Sequence, residues 1–166
     1  MTSDPTSGGR ISLAIHAMGG QGGGVLADWI QDVAKAAGYS VQATSVPGVA
    51  QRTGSTVYYV EMIPAAGPGG NQRPPVLALM PTPGDVDIVL ASELMEGGRA
   101  ILRGFVTSDR TTLVTSTHRV YAISEKIVSG DGTRSSERII ETARRRSKRF
   151  VGFDMEATAV RSGSVI

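Results

Sequence analysis

At 166 residues, 40% of them hydrophobic and 19% charged, the chain suits one globular domain that needs no disulfide or metal staple. It has no cysteine and two histidines, which excludes a thiolate-held iron–sulfur cluster and most structural zinc sites on this chain. The net charge of +2 divides unevenly. Residues 134–149 carry seven basic and two acidic side chains and the other 150 residues carry 10 and 13, so the basic character belongs to one segment and argues against a nucleic-acid partner.

Residues 1–10 are polar and glycine-rich and read as a flexible segment without the apolar stretch of a secretion signal. No run approaches the ~20 apolar residues of a membrane span, so a cytoplasmic protein with no membrane partner is expected. Residues 11–18 (ISLAIHAM) form a buried strand and residues 19–24 (GGQGGG) a turn. A helix follows, with Val25, Leu26, Trp29, Ile30, Val33 and Ala37 at helical spacing on one face and Gly38 at its C′ position. Residues 39–46 alternate as a second strand, completing a right-handed βαβ unit.

Residues 56–63 are a β-branched and aromatic strand. Residues 64–75, with four prolines and three glycines, are a loop. Residues 76–80 read as the returning strand of a hairpin at one sheet edge. A turn at 81–84 precedes a buried strand at 87–91, a helix at 94–102 that contains Gly97 and Gly98, and a strand at 112–116 running into 121–128. Ser135 or Ser136 caps the basic helix, with Glu137 in its first turn. Residues 150–153 are strand and 155–160 begin a last helix. The alternation gives an α/β fold: a Rossmann-like three-layer sandwich with a mostly parallel sheet and an inserted antiparallel hairpin.

The glycine turn aims backbone N–H groups at a helix N-terminus, where phosphate is favoured. Gly22-Gly23-Gly24-Val25-Leu26-Ala27 fits the G-x-G-x-x-A dinucleotide fingerprint in one of several registers, but the second strand ends Thr44-Ser45-Val46 without the carboxylate that NAD requires. Val25 and Leu26 stand where a P-loop has lysine and a hydroxyl residue. A tight turn for helix packing is the structural alternative. The loop after the second strand, with Gln51, Arg52, Thr53 and Gly54, falls at the same sheet edge and suits an anionic ligand, a subunit interface or a plain surface loop. Gly130-Asp131-Gly132 opens like a thiamine diphosphate motif, yet the only asparagine, Asn71, lies upstream. A turn is the better reading. His16 and His118 have no metal-ligand spacing and read as structural. The arginine run at 144–149 reads as a solvated helix face or an acidic-partner surface.

Ala17-Met18-Gly19-Gly20-Gln21-Gly22, Pro47-Gly48-Val49-Ala50-Gln51-Arg52-Thr53-Gly54, and Thr117-His118-Arg119-Val120-Tyr121-Ala122-Ile123-Ser124-Glu125-Lys126 resemble the gamma-type domain of 2-oxoacid:ferredoxin oxidoreductases. The likeness is greatest to the small (beta) subunit of indolepyruvate oxidoreductase and runs over residues 11–166. The resemblance implies a heteromeric enzyme that decarboxylates an arylpyruvate, releases acyl-CoA and passes electrons to ferredoxin. Thiamine diphosphate, magnesium and the iron–sulfur clusters would sit on a large partner subunit, and ferredoxin would be an indirect partner. This chain would hold no metal and no catalytic residue and would be inactive alone. Gly19, Gly20, Gln21 and Gly22 would form an anion-facing turn on the side of coenzyme A as co-substrate, and Gln51, Arg52, Thr53 and Gly54 would line the same edge or the large-subunit contact. Ala17 replaces the family's first glycine, which puts close ligand approach there in question. The family domain continues past residue 166, so a truncated domain is expected. A stand-alone nucleotide-binding module and a purely structural assembly subunit are the rival readings.

Overall fold

A computed structural model describes residues 9–47, 55–65, 76–119 and 136–164. Six strands, β1 (Ile11–Ala17), β2 (Tyr39–Val46), β3 (Thr56–Pro64), β4 (Ile88–Ala91), β5 (Thr112–Ser116) and β6 (Arg149–Phe153), form one sheet in the order β2-β3-β1-β4-β5-β6. β1, β4, β5 and β6 are parallel, and β3 runs antiparallel to both β1 and β2. The helices are α1 (Gly23–Ala36), α2 (Leu94–Leu102), α3 (Ser136–Arg146) and α4 (Met155–Arg161). This is the expected Rossmann-like α/β sandwich with an antiparallel pair.

The pair is built differently from the hairpin expected at the edge. Residues 76–80 are not a strand. β3 bonds to β1 on one side and β2 on the other, so neither of its edges is left for a returning strand. Val76, Leu79 and Met80 are exposed, and Ala78 N–H donates to the Glu61 carboxylate. β2 runs parallel to β1, as a βαβ unit requires, with β3 inserted between them. The continuation at 121–128, Ser135 and the Gly130-Asp131-Gly132 turn lie outside the described residues.

Alternate residues of β1 feed two cores. Leu13, Ile15 and Ala17 pack with Ala27 of α1, while Ala14 packs with Val89, Leu113, Ala100 of α2 and Ala143 of α3. α1 therefore covers one sheet face and α2 with α3 the other. α1 buries its small residues, Gly23, Ala27 and Ala34, while Val25, Trp29 and Val33 are exposed. The apolar face read from spacing is thus rotated relative to the face that packs. The cause is close approach: a Cβ on Gly23 would lie 2.5 Å from Ala17 Cβ and 2.7 Å from Tyr58 Cε2. Bulky side chains cannot occupy that contact, so they move to the flank. α1 closes as expected, with Gly38 at φ 81° and its N–H donating to Lys35 O.

His16, on the α2 face of β1, is fully buried, and neither ring nitrogen has a hydrogen-bond partner among the described residues. Its ring lies 6.0 Å from that of Phe105. Burial, followed by the Arg103 cation, pushes its pKa down to about 4, so it is a neutral core residue.

Candidate functional site at the sheet edge

From β1 the chain crosses through α1 to β2 on one side of the sheet, and from β4 it crosses through α2 to β5 on the other. β1 and β4 are adjacent, so the order reverses between their C-terminal ends. In open α/β sheets this switch point is where ligands bind. The glycine turn follows β1, and Ser92 and Glu93 follow β4. Both crossovers therefore begin at one crevice, from opposite faces.

A short network holds the crevice together. Ser92 N donates to His16 O at 3.0 Å, and Ser92 Oγ lies 3.1 Å from the same oxygen. Gln21 Oε1 accepts from Met18 N at 2.8 Å and from Ser92 Oγ at 2.5 Å. The Gln21 carbonyl oxygen is therefore a brace between the two strand ends. Gly20 (φ 85°) and Gly22 (φ 72°) adopt left-handed conformations that a side chain would strain. Gly19, Gly20 and Gly22 are exposed, with no atom within 4 Å of where a Cβ would stand. They leave open space above the turn. Gly23 instead closes the α1–β1 contact, and the Ala17 methyl points into that contact. The alanine in place of the family's first glycine thus constrains helix packing rather than the exposed turn.

The two helix N-termini at the crevice differ. α1 has Gly22 as its N-cap, no side-chain cap and no acidic residue in its first turn. In α2 the buried Glu93 supplies the cap itself, its Oε2 accepting from Met95 N at 2.8 Å and Glu96 N at 3.1 Å. The α2 dipole is met by a carboxylate of the chain, whereas the first turn of α1 has no side-chain cap among the described residues. Glu93 was not legible as a cap, because serine, threonine, aspartate and asparagine are the usual caps.

Gln51, Arg52, Thr53 and Gly54 lie outside the described residues. The ends of their loop are described. Val46 pairs with Val57 and Val57 with His16, so β2 ends at the same edge as β1. Ser55, just after the loop, is buried and donates from Oγ to Glu96 Oε2 at 2.5 Å, and Glu96 also pairs with Arg99. Neither Ser55 nor Glu96 stands in a motif that marks this anchor. At the far end of the edge, His118 Nε2 stands 2.8 Å from Glu156 Oε2, and His118 O accepts from Leu94 N at 3.0 Å. Among the described residues no three His, Asp or Glu side chains are grouped to hold a metal.

The fold and its edge define a Rossmann-like α/β domain with a glycine turn at the switch point. The chain belongs to the pyruvate ferredoxin/flavodoxin oxidoreductase family, whose profile matches residues 12–166. Two solved structures are similar in fold. The 2-oxoglutarate:ferredoxin oxidoreductase from Magnetococcus marinus, solved with 2-oxoglutarate, coenzyme A and succinyl-CoA bound, is 13% identical with a TM-score of 0.56 over 95% of this chain and 22% of that one. The pyruvate oxidoreductase subunit PORC from Thermotoga maritima is 17% identical with a TM-score of 0.52 over 93% of this chain and 67% of that one. The chain thus spans less than a quarter of the length of the Magnetococcus protein. No curated protein matches it.

Without cysteine the chain offers no thiolate to an iron–sulfur cluster. Its one asparagine precedes Asp131, so the thiamine–magnesium pattern does not fit either. The exposed glycine turn and uncapped α1 do fit a phosphate-bearing co-substrate.

Proposed function

We propose that this chain is the small subunit of a heteromeric indolepyruvate (arylpyruvate) ferredoxin oxidoreductase, with residues 11–166 as its gamma-type domain. The complex converts a 2-oxoacid and coenzyme A to acyl-CoA and carbon dioxide, and the electrons leave to ferredoxin. Thiamine diphosphate, magnesium and the iron–sulfur clusters belong to the large subunit, which supplies the redox chemistry. The observation that carries this reading is the uncapped α1 N-terminus at the switch point, in a chain of this family that has no cysteine.

In this reading the chain's own residues bind and orient. The turn at Gly19, Gly20, Gln21 and Gly22 receives phosphate oxygens of coenzyme A on backbone N–H groups. Gln21 fixes the turn through Ser92. Gln51, Arg52, Thr53 and Gly54 close the same edge or contact the large subunit, and Glu96 holds the end of their loop through Ser55. Tagged protein isolated from its host is expected to bring down a large subunit with brown iron–sulfur absorbance and to be inactive without it. In the reconstituted complex, Arg52→Ala should raise the KM for coenzyme A. Unchanged kinetics at limiting coenzyme A would remove Arg52 from the site.

A structural assembly role has its own support, since the Gln21 carbonyl and Gly23 are engaged inside the fold. Lost assembly with unchanged coenzyme A affinity in Gln21→Ala would favour it. A colourless protein without a partner would favour a stand-alone nucleotide-binding module.

A further inference from the structure

On the sheet face away from α1, helices α2 and α3 enclose an open cleft of about 550 Å³. One stripe of α2, Met95, Gly98, Arg99 and Leu102, forms one wall, and Arg138 and Ile139 of α3 form the other. The floor is apolar and the rim basic. Three features are unexplained by the fold. Leu102 is 87% exposed at the rim. Gly98 sits inside a helix, where glycine is less favourable than alanine, yet a Cβ there would meet only Ile139 Cγ2, at an ordinary 3.6 Å. Arg138 is exposed and forms no ion pair with the described residues. The stripe 138, 142 and 145 carries the basic rim on to exposed Arg145.

We propose that the α2–α3 cleft docks an acidic amphipathic helix of a partner polypeptide. Apolar side chains of that helix would cover Leu102 and Ile139, Gly98 would allow close backbone approach, and carboxylates would meet Arg138 and Arg145. A small anion would satisfy Arg138 but leave Leu102 bare and Arg145 unpaired. Arg99 already shares a carboxylate with its own helix through Glu96. The docking is independent of coenzyme A binding at the sheet edge.

The test is fluorescence anisotropy of the full chain with a labelled helical peptide bearing leucines at i, i+3, i+4 and i+7 and flanking glutamates, against a peptide with lysines in place of the glutamates. Saturable binding of the glutamate peptide alone is expected. Arg138→Glu should weaken it about tenfold, as should Gly98→Met. Lys35→Glu, on the helix of the opposite face, should leave it unchanged. Thermal melts check that the variants fold, and Arg138→Glu alone decides if Gly98→Met does not. Equal binding of the lysine peptide, insensitivity to Arg138→Glu, or equal loss with Lys35→Glu would overturn the proposal. So would Arg138-dependent binding of dodecanoate without peptide binding, which would make the cleft a small-anion site.

Discussion

Gly97 and Gly98 stand side by side in α2 under different constraints. A Cβ on Gly97 would sit 2.7 Å from Oγ1 of Thr115, a fully buried residue, so glycine is what lets α2 lie against β5. Gly98 faces the cleft, where a methyl has room. Gly97→Ala should therefore destabilise by about 1–3 kcal/mol through overpacking. Gly98→Ala should stabilise by about 0.5–1 kcal/mol through helix propensity, and urea midpoints of the two variants read the opposite signs. His16 carries a pH signature. Its folded pKa, about 4, lies below the ordinary 6.5, so the unfolded chain binds the proton first on acidification. Stability is then lost as pH falls from 6.5 toward 4, at up to about 1.4 kcal/mol per pH unit. His16→Leu should flatten that slope in chemical denaturation, whereas an unchanged slope would assign it to other groups.

At the scale of elements, α2 depends on Glu93. Glu93→Ala removes the acceptor of two first-turn N–H groups, and about 1 kcal/mol of stability should go with it. Glu93→Gln keeps an acceptor oxygen and should lose less in the same thermal melts. The bounds of β2, α2 and β5 are those read from the sequence, because alternation and helical spacing are local properties of the chain. The orientation of α1 was not legible. Spacing identifies which residues are apolar, but the close approach at Gly23 selects Ala27 and Ala34 for burial and turns Trp29 outward.

Across the whole molecule, the N-terminal sheet edge is tied by charge. Arg110 holds Asp85 at 2.5 Å and Asp87 at 2.8 Å, and Arg10 joins Asp85 at 2.5 Å to Glu61 at 2.9 Å. Ser12 N and Oγ donate to Asp87 at 2.8 and 2.9 Å. The Arg10 hydrogen bond holds the Asp85 carboxyl below its ordinary 3.8. Burial pushes Asp87 up, but Arg110 and Ser12 outweigh it and its pKa also falls below 3.8. Both carboxylates therefore contribute stability above 3.8 that is lost as pH falls through their lower folded values. This limb is distinct from that of His16. Arg110→Ala should lower the thermal midpoint at neutral pH and move the acid limb upward, and melts across pH check both.

Composition and local spacing were enough for the α/β class, the order and most bounds of the elements, and the lack of any cysteine ligand. They also marked a glycine turn between β1 and α1. These follow from residue type and local spacing. Tertiary structure alone decided that β3 stands between β1 and β2, that Gln21 meets Ser92 and that Ser55 meets Glu96. It also decided that α1 leaves its N-terminus open while α2 does not. Strand order and the side-chain braces join residues far apart along the chain, and among the described residues no side chain caps the first turn of α1. Local pattern marks the groups that can bond, and only the folded sheet brings them to one edge.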